Sequence, residues 1–262
     1  MNFHTSNNDW NPQLYLKFKN ERAQPSVDLV SRINLENPRK IIDIGCGPGN
    51  STQILVQRWP DSKVFGLDNS PGMIEKAKMD YPDQEWILRD ASQIDNKEKY
   101  DIVFSNATIQ WIPDHEKLLT GLVNMVNKNG ALAIQLPKFR DMPVGKAISR
   151  VARKETWRNL IADCDGLFTM HDKRFYYDLL VNQVSSVEIW ETSYIHVMES
   201  HLIILDMLRS TGLRPYLERL ESEEMKAEFE EYLLEEIKRD YPLQKNGKVL
   251  FPFERLFFVA YK

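Results

Sequence analysis

Apolar residues in this chain fall into short runs, and between the runs they recur at helical spacing. Lys40 to Ile44, Val64 to Asp68, Trp86 to Arg89, Tyr100 to Ser105 and Ala131 to Leu136 are short and apolar, as strands buried on both faces are. Between them Ile54, Leu55 and Trp59, then Met73, Ile74, Ala77 and Tyr81, and later Leu118, Leu119, Leu122, Val123 and Val126 form one-sided stripes of the helical kind. Alternating strands and helices predict a parallel sheet with helices on its faces, an α/β fold. After Pro137 the strand rhythm pauses until Val187 to Tyr194, and a last strand is expected at Leu256 to Tyr261. Between these two the chain reads as helical. It holds the dense apolar run His201 to Leu208 and an acidic helix whose Met225, Phe229, Tyr232, Leu233 and Ile237 make one buried stripe. The glutamates from Glu221 to Glu236 are its solvated face. No internal repeat or linker interrupts the pattern, so one domain with a helical cap is expected over residues 1–262.

The segment Ile41 to Thr52 reads IIDIGCGPGNST, which sets Asp43 near the end of the first strand and Gly45, Gly47 and Gly49 in the turn into a helix. Glycine there takes positive φ and lets the backbone pass close to a ligand. A dinucleotide fingerprint is spaced GxGxxG, with the diphosphate on the helix N-terminus. Here the third glycine comes one residue early, and the Asp43 carboxylate suits a cationic or amine-bearing group better than a diphosphate. The loop therefore points away from NAD.

The second strand ends at Asp68, where a carboxylate can accept both hydroxyls of a ribose; the alternative is a cap for the helix near Pro71, which Ser70 could also supply. Asn69 follows directly, and Met73 lies on that helix. The third strand ends in Arg89, Asp90 and Ala91, suited to the edge of an adenine, and the fourth runs into Asn106. Four consecutive strand ends thus carry polar groups toward one crevice, where open α/β sheets bind ligands.

Charge narrows the partners. The 34 basic residues against 38 acidic ones give a net charge of −4, without the excess that nucleic acid or an anionic membrane calls for. Two cysteines make no disulfide framework, the polar start MNFHTSNNDW lacks the layout of a signal peptide, and no apolar stretch approaches the roughly 20 residues of a bilayer span. A cytoplasmic protein is expected.

The DxGCGPG loop, the acid closing the second strand, the Asp90–Ala91 pair and SNATIQW together resemble the class I S-adenosylmethionine-dependent methyltransferases. Outside the cofactor half, WNPQLYLKF with Glu21 and Arg22, NATIQWIPDH, FYYDLL, TGLRPYL and YPLQKNG resemble the trans-aconitate 2-methyltransferase family over essentially the whole chain. The resemblance implies a Rossmann-like sheet, mostly parallel with its last strand antiparallel. It also implies an N-terminal helical lid (1–38), a cofactor half (39–137) and a substrate half (138–262) whose cap spans about 199–247. The implied reaction is methyl transfer from S-adenosylmethionine to a carboxylate of the tricarboxylate trans-aconitate, giving a monomethyl ester. Cofactor contacts are then expected at Arg22, Asp43, Gly45, Gly47, Asp68, Asn69, Met73, Asp90, Ala91 and Asn106, with Arg22 meeting the cofactor's own carboxylate.

A carboxylate with a reference pKa of about 4 is already ionised at neutral pH, so this acceptor needs no catalytic base and no metal. No HExxH or CxxC is present, and the five histidines read as ordinary surface or core residues. With the last strand antiparallel, Arg255 falls at the rim of the cofactor edge. Arg214, Tyr176, Tyr177 and Trp111 join it as candidate substrate contacts. Arginine binds carboxylates through a planar fork, so the arginines are expected on the carboxylates that do not react, with a tyrosine adding a hydroxyl. Tyr15, Phe18 or Trp111 would face the sulfonium through cation–π contact. A methyltransferase for another small or carrier-bound carboxylate, and a catalytically silent S-adenosylmethionine-binding regulator, remain open on the sequence.

Overall fold

The computed structural model describes residues 19–94 and 97–262, the side chains of 19–22 excepted. Seven strands form one sheet in the order 3-2-1-4-5-7-6. They are β1 (Lys40–Ile44), β2 (Lys63–Asp68), β3 (Glu85–Leu88), β4 (Tyr100–Asn106), β5 (Val126–Pro137), β6 (Ser186–Met198) and β7 (Val249–Tyr261). β1 to β5 pair in parallel, and β7 runs antiparallel between β5 and β6. The helices are α1 (Lys19–Ser31), α2 (Asn50–Arg58), α3 (Pro71–Asp80), α4 (His115–Met125), α5 (Pro143–Ala152), α6 (Arg158–Ile161), α7 (Lys173–Leu180), α8 (His201–Arg209), α9 (Arg214–Leu217) and α10 (Glu223–Asp240).

Local chemistry starts several of them. Ser70 caps α3 by accepting from the Met73 amide, with Pro71 at the first helical position; Asp114 does the same for α4, Asp172 for α7 and Ser222 for α10. Two apolar layers sandwich the sheet. Leu29 and Val30 of α1, Ile33 just after it and Leu55 of α2 cover Ile41, Phe104 and Phe257 on one face. On the other, Leu119, Leu122 and Val123 of α4 with Tyr176 and Leu180 of α7 cover Ile42, Val103 and Phe258.

The cap has its own core. Val144, Ile148 and Val151 of α5 pack with Phe229, Leu233 and Ile237 of α10, and Ile204 and Leu208 of α8 join them. Its helices therefore come from two stretches, one before and one after β6, where the sequence pattern locates a helical stretch only after it. β7 also begins seven residues before Leu256. From Val249 to Glu254 it leaves the β5 ladder and stays paired with β6, so the two strands overhang the carboxyl end of β5 as a ribbon whose Phe251 and Phe253 enter the cap core.

Candidate active site

The sheet's winding reverses between β1 and β4, and the loops after these strands part there to leave a cleft of about 440 Å3 at their carboxyl ends. The glycine loop shapes its floor. Gly45 (φ +73) donates to the Leu67 carbonyl at 2.7 Å, and a Cβ on it would fall 2.1 Å from the Thr108 side chain. Gly47 (φ +54) has open space where a Cβ would stand, and its amide donates to Asp68 Oδ2 at 2.9 Å. Asp68 Oδ1 accepts from the Ser70 amide at 2.9 Å. The Ser70 hydroxyl caps α3, and the Asp68 carboxylate lies at the cleft wall. Asn69, Met73, Asp90, Ala91 and Asn106 line the same cleft, which thus gathers residues following four strand ends together with Met73 of α3.

Asp43 corrects one expectation. It is fully buried beneath the loop and does not line the cleft. Its Oδ2 accepts from Ser51 Oγ at 2.6 Å and Thr52 Oγ1 at 2.8 Å, tying the end of β1 to the first turn of α2. Burial pushes its carboxyl up to about 6 despite those two hydrogen bonds. The side chain of Arg22, and Tyr15 and Phe18, lie outside the described residues.

A second, smaller cavity of about 90 Å3 adjoins the first and shares Asn106, Ala107 and Trp111 with it. Phe139, Phe168, Met207 and Phe253 make its walls, and Arg255, His196, Thr211 and Gln110 supply polar groups. Arg255 stands in mid-strand opposite Pro137, level with the carboxyl end of β5, which is the rim the sequence reading expects even though β7 extends beyond it. It is only 7% exposed, its guanidinium lies 4.3 Å from the Phe253 ring centre, and its Nη1 reaches Gln135 Oε1 at 3.5 Å. Asn106 Oδ1 and Gln110 Oε1 are buried acceptors with no partner among the described residues. Arg214 does not accompany Arg255. It lines the larger cleft beside Pro215 and pairs through Nε with Glu218 Oε1 at 2.5 Å, so the two arginines serve adjacent cavities.

The two tyrosines are corrected outright. Tyr176 is completely buried, stacked on Phe258 of β7 in the core on the α4 side of the sheet, and Tyr177 is 46% exposed; neither lines either cavity. Neighbours on a helix point about 100° apart, and α7 docks by Tyr176 and Leu180 on the sheet. Sequence reasoning in turn missed Phe139, Phe168, Thr211 and Gly212. Only Gly212, beside the TGLRPYL arginine, offers a local signal: a Cβ there would stand 2.3 Å from the Phe139 ring, so glycine makes room for that wall.

Residues 42–134 match a methyltransferase domain family. Over 252 residues the chain is 40% identical to a trans-aconitate 2-methyltransferase of Enterobacter sp. (strain 638), covering 96% of this chain and 98% of the relative. A relative of the same name from Escherichia coli O139:H28 is 41% identical over 254 residues, with the same coverage. Among solved structures, a Haemonchus contortus phosphoethanolamine N-methyltransferase 2 in complex with S-adenosyl-L-methionine superposes with a TM-score of 0.58 at 16% identity, over 96% of this chain and 56% of that one. At that identity the likeness speaks for the fold alone.

Proposed function

The chain belongs to the trans-aconitate 2-methyltransferase family of S-adenosylmethionine-dependent methyltransferases, and from that premise we propose that it methylates one carboxylate of trans-aconitate in the smaller cavity, giving a monomethyl ester. The observation that carries this reading is the pairing of cavities: an acid-lined cleft at the switch point adjoins, across the shared Asn106, Ala107 and Trp111, an aromatic pocket ended by a buried arginine. The residues present fit the cofactor. Gly47 leaves open space above the loop, Asp68 offers a carboxylate to ribose hydroxyls, and Asp90 with the backbone at Ala91 suits the edge of an adenine. When bound, S-adenosylmethionine supplies an electrophilic methyl group on a sulfonium.

What the chain contributes is placement. The acceptor's carboxylate arrives ionised, so the site needs no proton acceptor. Arg255 holds a carboxylate that does not react, because its fork would dull the oxygen that must attack. The shared Asn106–Ala107 edge and Trp111 set where the two ligands meet, and holding them in reacting geometry supplies most of the rate. Phe139, Phe168 and Phe253 exclude water, which favours a step in which an anion and a cation neutralise each other. Arg214, at the cleft wall, is placed to orient the ligand of the larger cleft or the acceptor's far end.

The test is incubation of the protein with methyl-labelled S-adenosylmethionine and a panel of mono-, di- and tricarboxylic acids, with the product identified by mass. A labelled trans-aconitate monomethyl ester as the fastest-formed product is expected. Preferential labelling of another acid, or binding of the cofactor without turnover on any of them, overturns the assignment.

A further inference from the structure

Tyr176 lines neither cavity, but the hydrogen bonds it makes lead to two segments that line the smaller one. Ile109–Trp111 form a single short turn after β4, entered through Ala107 at φ +54, a left-handed conformation unfavourable for a residue with a Cβ. Such a turn keeps its shape only where its surroundings hold it. Several hydrogen bonds do so, among them links toward α4 and the 167–171 segment. Gln110 Nε2 donates to the Ala107 carbonyl at 2.7 Å, the Thr169 amide donates to the Gln110 carbonyl at 2.8 Å, and the Ile109 carbonyl lies 2.8 Å from His115 Nε2.

A carbonyl only accepts, so His115 carries its proton on Nε2, and in the neutral ring Nδ1 is then an acceptor. Nδ1 lies 2.9 Å from the Tyr176 hydroxyl, which therefore donates to it, and the Tyr176 oxygen accepts from the His171 amide at 3.2 Å. The chain runs with one polarity from the His171 amide through Tyr176 and His115 to the Ile109 carbonyl. His115 is 1% exposed and Tyr176 fully buried, so no water substitutes for a lost link. At one end of this chain stands Trp111; at the other is the segment that carries Phe168, and those two rings pack against each other in the lining of the pocket with centres 4.7 Å apart.

We propose that His115 and Tyr176 are positioning residues for the acceptor, tying the Trp111 turn to the 167–171 segment so that Trp111 and Phe168 stay packed as one wall of the pocket. The inference rests on the smaller cavity being the acceptor's pocket. It also makes the pocket sensitive to acid. The titratable groups facing His115 are His171 from the tied segment, Tyr176 from α7 and Asp114 from the turn before α4; burial, with His171, holds the imidazole below its usual range against the pull of the Ile109 carbonyl and Asp114. Once protonated, Nδ1 has no lone pair, and the Tyr176 hydroxyl loses its acceptor.

Two variants test the tie without emptying the core. Tyr176→Phe keeps the ring stacked on Phe258, and His115→Gln keeps an amide donor for Ile109. Each is expected to raise the KM for trans-aconitate about 5- to 20-fold, as loss of a buried hydrogen-bonded link does, while the Kd of S-adenosylmethionine stays within about twofold. The double variant should be no worse than the worse single one, because both break one chain. The ratio of variant to wild-type KM should also fall toward one on acidification, where wild type loses the same link. Hydrogen exchange of the Thr169 and Trp111 amides should quicken about tenfold or more in both variants, whatever the acceptor proves to be. Unchanged KM and unchanged exchange in a folded variant overturn the tie, as does an equal loss of cofactor and acceptor affinity. If wild type methylates no carboxylate, the reaction assignment fails while the exchange data still decide the tie.

Discussion

Arg255→Ala is the sharpest probe of the acceptor pocket. The guanidinium is buried against the Phe253 ring at the end of the smaller cavity, with Nη1 3.5 Å from Gln135 Oε1, which places a planar fork where a carboxylate would enter. One charged hydrogen bond is worth about 1.5–3 kcal/mol, which corresponds to a fall of roughly 10- to 150-fold in kcat/KM for trans-aconitate. Arg255→Lys keeps the charge without the planar fork and should lie between wild type and alanine. The assay is a double comparison against an acid lacking one carboxylate. Wild type should discriminate strongly between the two acids, whereas Arg255→Ala should slow the smaller acid little, since no partner remains to be lost. Calorimetry should find the Kd of S-adenosylmethionine unchanged, because Arg255 does not line the larger cleft. Equal slowing of both acids, or a loss confined to cofactor binding, would refute the assignment of Arg255 to the acceptor. Arg214→Ala should behave differently: its side chain lines the larger cleft beside Glu218, so some loss of cofactor affinity is expected with it.

Gly212→Ala sets a Cβ 2.3 Å from the Phe139 ring and pushes that ring into a cavity of only about 90 Å3; acceptor KM should rise at least tenfold with little change in cofactor Kd, roughly the 1.5 kcal/mol that modest overpacking costs. Equal weakening of both ligands would count against the pocket's placement. Asp68→Ala should weaken S-adenosylmethionine by about 1.5–3 kcal/mol in calorimetry; unchanged affinity would remove Asp68 from the ribose. Asp43 gives a pH prediction in the ligand-free protein. Its carboxyl rises from an ordinary 3.8 to about 6, so between those values the folded state holds a proton that the unfolded state releases. This one group therefore costs stability progressively as pH rises from about 4 to 6, reaching about 3 kcal/mol at neutral pH. Against Asp43→Asn, wild type should lose ground over that window in denaturant titrations, and parallel stability profiles would contradict it.

The sheet and the larger cleft at its switch point were legible because their determinants are local. Strands buried on both faces are short apolar runs, the glycines of the first loop sit where φ is positive, and a polar residue ending a parallel strand of this fold faces the switch-point crevice whatever happens elsewhere. Ser70 and Pro71 likewise announced the start of α3 and left Asp68 for the cleft. What stayed hidden depends on contacts between distant segments. The first half of β7 contains Pro252, which argues against a strand, and forms one only because β6 pairs with it past the sheet's edge. Tyr176 and Tyr177 are equivalent in sequence; the docking of α7 on Phe258 buries one and exposes the other. Asp43 looked like a ligand contact, and it became a buried strut once α2 laid Ser51 and Thr52 over it. Periodicity reports which residues share a face within an element, but burial of Arg255, the meeting of Phe139 with Phe168 and the His115–Tyr176 link are properties of how elements pack, and only the tertiary structure decides those.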